Sequence, residues 1–504
     1  MKIIVIVTII NLISKILGFI REMSLSYFFG ATYITDAYVI AVSVPTIIFG
    51  LIGSGILHSY IPMYTGIEEK IGKKAANIFT NNFLNIMLLL CIVIAVISFT
   101  FAPFLTKVFS YGFDEKTYNL TIYFIRVMII SIFFIVLTNI FSSLLQLNNR
   151  FIIIAFSGIP LNIIYILGNY ISFKYNYKFL GFFSNCALFL QLICLIPYLK
   201  KINFRYRLYI SLKNKYIKEI FLLGLPIIVG NSVEKINIII DRTLASRLSE
   251  GAISILNYAN ILNSSVFFLT VYSGLNLIFP SLSRLGASLE IEKLKEKFNY
   301  ISNMIFIFCI PITVGIIALS KLIITFFFGR GKFTNEDIYL SSNVLVCYSI
   351  SFIALSFREL LTKYFYVLKN TRTPVYNSII GIFLNIVLNL VLPKYFGIKG
   401  IAIATSISVY FITLLLWLNL YKKYRFNFNI NNINVLYKVL FASFIMYLII
   451  VICKKLNLNL FIIIIISIII YSFILLKLNI NEVIEIKNVI LKKISIILKG
   501  KNNE

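Results

Sequence analysis

Apolar positions along this chain do not alternate with polar ones; they gather into long runs separated by short polar stretches. Fourteen such runs can be counted, from residues 4–28 at the start to 458–476 near the end. Each is about 20 residues long, enough helix to cross the roughly 30 Å of hydrocarbon in a bilayer. Period-2 alternation, the mark of a barrel strand, is missing, and the runs are too long for such strands. The pattern predicts an all-α polytopic membrane protein with about 14 transmembrane helices. A different pattern closes the chain: NEVIEIKNVILKKISIILKG sets Val483, Ile486, Ile490, Ile494 and Ile497 at helical spacing with lysines on the other faces. An amphipathic helix on the inner membrane surface is expected there.

Composition strengthens this picture, since 60% of the 504 residues are hydrophobic, above the range of soluble domains. The net charge of +28 would point to nucleic acid in a soluble chain, but its distribution argues otherwise. With the N-terminus inside, most of the 47 Lys and Arg residues fall on cytoplasmic segments, and the stretch KKINFRYRLYISLKNKYIKE alone carries seven. Such asymmetry orients a membrane protein with its basic loops inward, here with both termini cytoplasmic. No soluble domain is left to hold nucleic acid, so none is expected as a partner. Lys15 interrupts the first apolar run and no small-residue cleavage pattern follows, so that run reads as an uncleaved span. Cys91, Cys186, Cys194, Cys309, Cys347 and Cys453 lie in or beside apolar runs with no CxxC, the placement of small buried hydrophobes.

An internal echo appears at an offset of about 220 positions, where NLISK (11–15) falls over NSVEK (231–235) and Tyr38 over Tyr258, a repeat plan that transporters share. It divides the chain into an N-terminal part with the basic loop (1–215), a related second part (216–425) and a C-terminal addition (426–504). Gly-rich phosphate loops, HExxH and any large loop able to hold a catalytic domain are all missing from the sequence, so passage rather than catalysis is expected, with no organic cofactor.

Charges inside apolar spans are costly and are kept for a role in a cavity or in packing. In the first span Asn11, Lys15, Gly18 and Glu22 form one stripe flanked by Ser14 and Arg21. Either a Lys15–Glu22 pair fixes helix packing, or Lys15 and Arg21 face an anionic ligand with Glu22 and Asp36 as partners. Asp36 could equally cap the second span. VEKINIIIDRTLAS places Glu234, Lys235, Asp241 and Arg242 in another span, where an acidic pair binds a proton or Na+, or a structural network satisfies all four. Asn385 and Asn389 share one helical face with Thr405 in the next helix, either as oxygen ligands for an alkali cation or as interhelical hydrogen-bond glue. The single histidine, His58, is assigned no role.

The stretch NLISKILGFIREMSLSYFFGATYITDAYVIAVSVP resembles the start of the MurJ (MviN) family, lipid II flippases of the multidrug, oligosaccharidyl-lipid and polysaccharide exporter superfamily. The resemblance continues in order through GSGILHSYIPMYT, INIIIDRTLASRLSEGAISILNYAN, FPSLS, FFFGRGKFT, FREL with YFYVLKNTRTPV, and LNIVLNL followed by GIKGIAIATS. It implies two six-helix lobes around a central cavity and two C-terminal helices that form a groove for a polyprenyl tail. It also implies a multi-pass protein of the cell membrane that serves peptidoglycan and cell wall biogenesis. Its cargo would be a polyprenyl-linked oligosaccharide, its surroundings membrane lipids, and cell-wall synthesis proteins its candidate partners. By the same resemblance Arg21 and Asp36 match functional positions, and Lys15 stands where the family usually has Arg. Asp241, Asn385, Asn389, Thr405 and the backbone of Ile401 match a cation site seen in some members, which implies Na+ or proton coupling, although Asn389 often aligns with Asp.

Departures from the family concern its arginines. This chain reads PTIIFGLIGSG where PNLLRRLFAEG is typical, so Phe49 and Gly50 replace an arginine pair and Ser54 a glutamate; Ile261 in NYANIL replaces another arginine. Each lost arginine removes a bidentate phosphate contact. The expectation is a non-enzymatic flippase, with lipid II the leading cargo, in which Lys15 and Arg21 bind the phosphates, Glu22 and Asp36 orient them, and Lys235 and Arg242 help rebuild the grip. A flippase for a capsule or other surface-polysaccharide unit is the alternative, followed by a small-molecule exporter of the same superfamily.

Overall fold

The computed structural model describes residues 2–485 and 487–488, with only the course of the helix for 2–4, 51–58 and 223–234. The expected tail helix beyond residue 488, and the side chains of Ser54, His58 and Glu234, lie outside the described residues. Every regular element among the described residues is helical, and the chain divides into two compact units.

The first unit comprises 1–255 with 327–337. It contains α1 (Lys2–Phe29), α2 (Tyr33–Ile71), α3 (Lys73–Thr100), α4 (Ala102–Phe109) and α5 (Glu115–Met128). These are followed by α6 (Ser131–Leu147), α7 (Phe151–Phe156), α8 (Gly158–Lys174), α9 (Phe179–Lys201) and α10 (Lys215–Ala245). Helix α1 lies along α8, and α2 along α10. A buried aromatic stack, Tyr60 on Phe83 at 5.3 Å and Phe79 at 6.0 Å, joins α2 to α3. The basic connector between α9 and α10 is tied down by three buried asparagines of α3. Asn81 bonds the backbone of Arg205 and Arg207, Asn82 both backbone groups of Ser211, and Asn85 the carbonyls of Arg207 and Tyr209. Amides that donate and accept in this way satisfy an extended backbone that has no neighbouring strand.

The second unit comprises 256–326 with 338–504. Helix α11 (Ala252–Phe267) enters it and continues through a π turn at Phe268–Tyr272 into α12 (Ser273–Ala287). Then come α13 (Ile291–Phe327), α14 (Asn335–Ile350), α15 (Phe352–Val367), α16 (Arg372–Phe396), α17 (Ile398–Tyr424), α18 (Ile430–Lys455) and α19 (Leu460–Lys477). Phe298, Tyr364 and Phe426 meet edge to face at 5.4–5.7 Å in its core, and α18 and α19 enclose a second core with α13.

By length and composition ten spans among the described residues can cross a membrane, with α7–α8 and α11–α12 each taken as one, or twelve if the bent pairs α5–α6 and α14–α15 each count as one as well. The apolar runs expected to be continuous at 151–173, 254–282 and 339–367 are each interrupted, and hydroxyls that bond their own helix backbone accompany the breaks. Ser157 donates to the carbonyl of Ile154, Ser351 to Tyr348, and Ser273 to Phe268 five residues back, in the π turn. Such local bonds compete with the regular i to i−4 ladder and bend or widen a helix.

Candidate functional site

The charged stretch of α1 is held by α8. Asn162 Nδ2 donates to the carbonyl of Ser14 at 3.1 Å, and Asn169 Nδ2 to that of Arg21 at 3.3 Å and to Ser24 Oγ at 2.8 Å. Two asparagines seven residues apart therefore lock the rotation of α1. In that register Arg21 pairs with its neighbour Glu22, Nη2 to Oε1 at 2.6 Å and Nε to Oε1 at 3.1 Å, and its guanidinium lies 4.9 Å from the centre of the Tyr165 ring. Of the two readings of this stripe, the pairing seen is that of Arg21 with Glu22, not of Lys15 with Glu22. Lys15 is exposed on the preceding turns. Asn162, Tyr165 and Asn169 were not anticipated, although their shared face in GIPLNIIYILGNY is the signal that could have found them.

Asp36, in the first turn of α2, is buried and is brought to neither Lys15 nor Arg21. Its carboxylate sits on the N-terminus of α11: Oδ2 accepts from the backbone N–H of Gly251 at 2.8 Å, and Oδ1 from Ser254 N–H at 2.8 Å and its hydroxyl at 2.5 Å. Glu250 returns the favour, since its Oε1 accepts from Tyr33 N–H at the start of α2 at 2.9 Å. Each helix start is thus capped by a carboxylate from the other's turn, where the free N–H groups and the helix dipole favour negative charge.

Glycine allows these turns to touch. Gly251 has φ +80°, and a Cβ there would stand 2.2 Å from the carbonyl oxygen of Ala31. Gly331 has φ +68°, and its Cβ would stand 2.1 Å from the Tyr27 carbonyl, which Lys332 N–H binds at 2.9 Å. FFFGRGKFT is therefore the docking of one turn against the end of α1.

On α10, Lys235 and Arg242 are seven residues apart and both meet α2. Arg242 Nη1 donates to the Val39 carbonyl at 3.2 Å. The stem of Lys235 lies across Gly50, so close that a Cβ at residue 50 would be 2.9 Å from Lys235 Cε. Lys235 is half-buried, and among the described residues its ammonium has no carboxylate within ion-pair distance. Asp241 accepts from Asn237 Nδ2 at 3.3 Å.

In the second unit, Asn377, Gly381, Asn385 and Asn389 form the buried face of α16. This face lies against α17, with Asn377 near Asn419, Gly381 beneath Ile412, and Leu392 beside Gly400. That antiparallel register brings Asn389 level with Ile403 and Ala404, next to Thr405 along α17. Asn389 Nδ2 donates to Asn385 Oδ1 at 2.7 Å, and Thr405 Oγ1 to the Ile401 carbonyl at 3.0 Å. These amide, hydroxyl and carbonyl oxygens are of the hard type that suits an alkali cation. A buried ammonium in this unit was not anticipated: Lys363 bonds Asn276 Oδ1 at 2.8 Å and pairs with Glu359 at 3.3 Å.

Between α13 and the pair α18–α19 runs an apolar groove of about 820 Å³. Ile312, Ile316, Leu319, Met446, Ile464 and Ile468 line it, and Gly315 opens directly onto it with nothing within 4 Å of its Cβ position.

Residues 25–472 match the family described as Lipid II flippase MurJ. A probable lipid II flippase MurJ of Buchnera aphidicola subsp. Baizongia pistaciae is 28% identical over 467 residues, covering 90% of each chain. Another from Thermotoga maritima is 27% identical and covers 88% of each. Among solved structures, a lipid II flippase MurJ in an inward closed conformation superposes with a TM-score of 0.79 at 25% identity, over 93% of this chain and 98% of that one. An inward-facing MATE family transporter shares the fold, with a TM-score of 0.72 at 12% identity over 84% of this chain and 98% of its own.

Proposed function

The chain belongs to the MurJ family of lipid II flippases, and from that premise we propose that it carries lipid II across the cytoplasmic membrane with a cation set of its own. The observation that carries this reading is Lys235. A half-buried lysine in an apolar helix, with no carboxylate among the described residues to neutralise its ammonium, is held at a cost unless an anion arrives. Its stem fills the space over Gly50, on the helix where the family resemblance calls for arginine. Lys235 therefore supplies from α10 the positive charge that α2 lacks, and Lys15, Arg21 and Arg242 complete the set that meets the pyrophosphate. Glu22 holds Arg21 in place, and Asp36 acts through the turns it caps.

The apolar groove of the second unit suits a polyprenyl tail, whose burial requires no polar partner. Adding α1 and α10 to the twelve spans gives fourteen, arranged by family analogy as two six-helix lobes around a central cavity plus α18 and α19. Alternating access between the lobes moves the head group while the tail stays in lipid. The basic loops orient both termini to the cytoplasm. Na+ or proton coupling draws on Asp241 in the first unit and, in the second, on the oxygens of Asn385, Asn389, Thr405 and the Ile401 carbonyl. Cell-wall synthesis proteins are the partners such a protein serves.

Expression of this chain in bacteria depleted of their own lipid II flippase tests the reading. Restored growth with no internal build-up of lipid II is expected. A membrane-inserted chain that leaves lipid II accumulating would overturn the cargo.

A further inference from the structure

Helix α13 changes character along its length, and with it the space beside it. Its first turns, through Asn303, line a polar recess of about 460 Å³ together with Arg425 and Glu482. From Ile307 onward the same helix lines the apolar groove. Asn303 and Ile307 are one helical turn apart, about 6 Å. Glu482 faces the recess and the next residue, Val483, the groove. The two chambers therefore run end to end, one polar and one apolar, in the second unit.

Glu482 is 5% exposed. Asn303 Nδ2 donates to its Oε1 at 2.5 Å, and Asn432 holds Asn303 in turn through Nδ2 to Oδ1 at 2.6 Å. The other carboxylate oxygen, Oε2, is buried with no hydrogen-bond partner among the described residues, and so is Asn299 Oδ1 in the same recess. Among the described residues no lysine or arginine pairs with Glu482, and the Arg425 guanidinium that also lines the recess pairs with no carboxylate. Buried acceptors of this kind are rare and call for a donor, and a buried carboxylate calls for positive charge.

A primary ammonium brings both, with three N–H donors for Glu482 Oε2 and Asn299 Oδ1, and a phosphate beside it would meet Arg425. We propose that the recess is a head-group site for an aminophospholipid, which binds with its ammonium on Glu482, its phosphate on Arg425 and an acyl chain in the adjoining groove. The proposal rests on the groove being a lipid site. Its chemistry is distinct from that of the cargo, because the recess selects an amine-bearing head whereas the groove selects only an apolar tail.

The test is lipid binding by the purified full chain, followed by native mass spectrometry and thermal melting. Phosphatidylethanolamine, its N-monomethyl form and phosphatidylcholine form a series that loses N–H donors while keeping charge and tail. Wild type is expected to bind the first about tenfold more tightly than the last, a preference of about 1.4 kcal/mol. Glu482→Gln and, separately, Asn299→Leu should erase the preference while leaving overall lipid binding. Equal binding across the series, or an undiminished preference in a folded Glu482→Gln chain, overturns the head-group site. Gly315→Trp, which fills the groove, should weaken every lipid alike. If it changes none of them, the groove reading fails, whatever the head-group series shows.

Discussion

Exchange of residues between Gly50 and Lys235 is the sharpest probe of how this chain grips its cargo. Lys235→Ala removes one ammonium from the α2–α10 contact. A charge-assisted phosphate contact contributes roughly 1.5–3 kcal/mol, so binding of lipid II should weaken about 10- to 150-fold. Gly50→Arg alone places a Cβ 2.9 Å from Lys235 Cε. The flexible lysine must then shift, and two cations crowd a place where no described carboxylate pairs with them. Gly50→Arg with Lys235→Ala restores a single cation from the other helix, so the double variant should recover more than the two separate losses allow. That coupling is what a double-mutant cycle measures. Growth rescue and internal lipid II in flippase-depleted bacteria, with binding to the purified chain, provide the readouts. If Lys235→Ala behaves as wild type at equal expression, the ammonium does not bind cargo. A double variant as weak as Lys235→Ala alone would mean that charge on α2 cannot stand in for charge on α10.

Other outcomes follow from the same contacts. Asp36→Asn keeps the shape of the cap but turns an N–H donor toward either Gly251 or Ser254, and should cost about 2–3 kcal/mol, seen as a lower melting temperature and faster labelling of a cysteine placed at Ser249. Gly331→Ala forces a Cβ to within 2.1 Å of the Tyr27 carbonyl at positive φ, so folded yield should fall steeply, whereas Gly66→Ala, where nothing lies within 4 Å, should leave it unchanged. Asn389→Asp adds a carboxylate to the α16–α17 oxygens and should make the melting temperature rise with Na+ more steeply than in wild type; an identical salt response would remove Asn389 from the cation site.

The sequence was readable where the physics is local. Apolar runs of membrane-crossing length announced the helices because a bilayer leaves the backbone little else to form. The breaks at Ser157, Ser273 and Ser351 were missed because a serine hydroxyl can bond its own helix or point elsewhere, and composition does not say which. Arg21 and Glu22 stood out as charges in an apolar span, yet their partner Tyr165 and the asparagines that orient α1 come from a helix more than 140 residues away. The cap on α11 joins Asp36 to residues 215 and 218 positions later, a separation at which periodicity is silent. Gly50 read as a loss because only the pairing of α2 with α10 reveals that Lys235 occupies its place.

The asparagine ladder on α3 has a mechanical consequence. With the backbone of Arg205, Arg207, Tyr209 and Ser211 pinned to Asn81, Asn82 and Asn85, the connector between α9 and α10 has almost no slack. Beyond Ser211 there is only one turn, closed by Asn214 N–H on the Ser211 carbonyl at 3.4 Å, before the Asn214 side chain accepts from Tyr216 N–H to start α10. Any swing of α10 relative to α3 must be taken up in those few bonds, so the connector is a leash with one short hinge rather than a loose cable. Its length sets how far α10 can travel before α3 is pulled along.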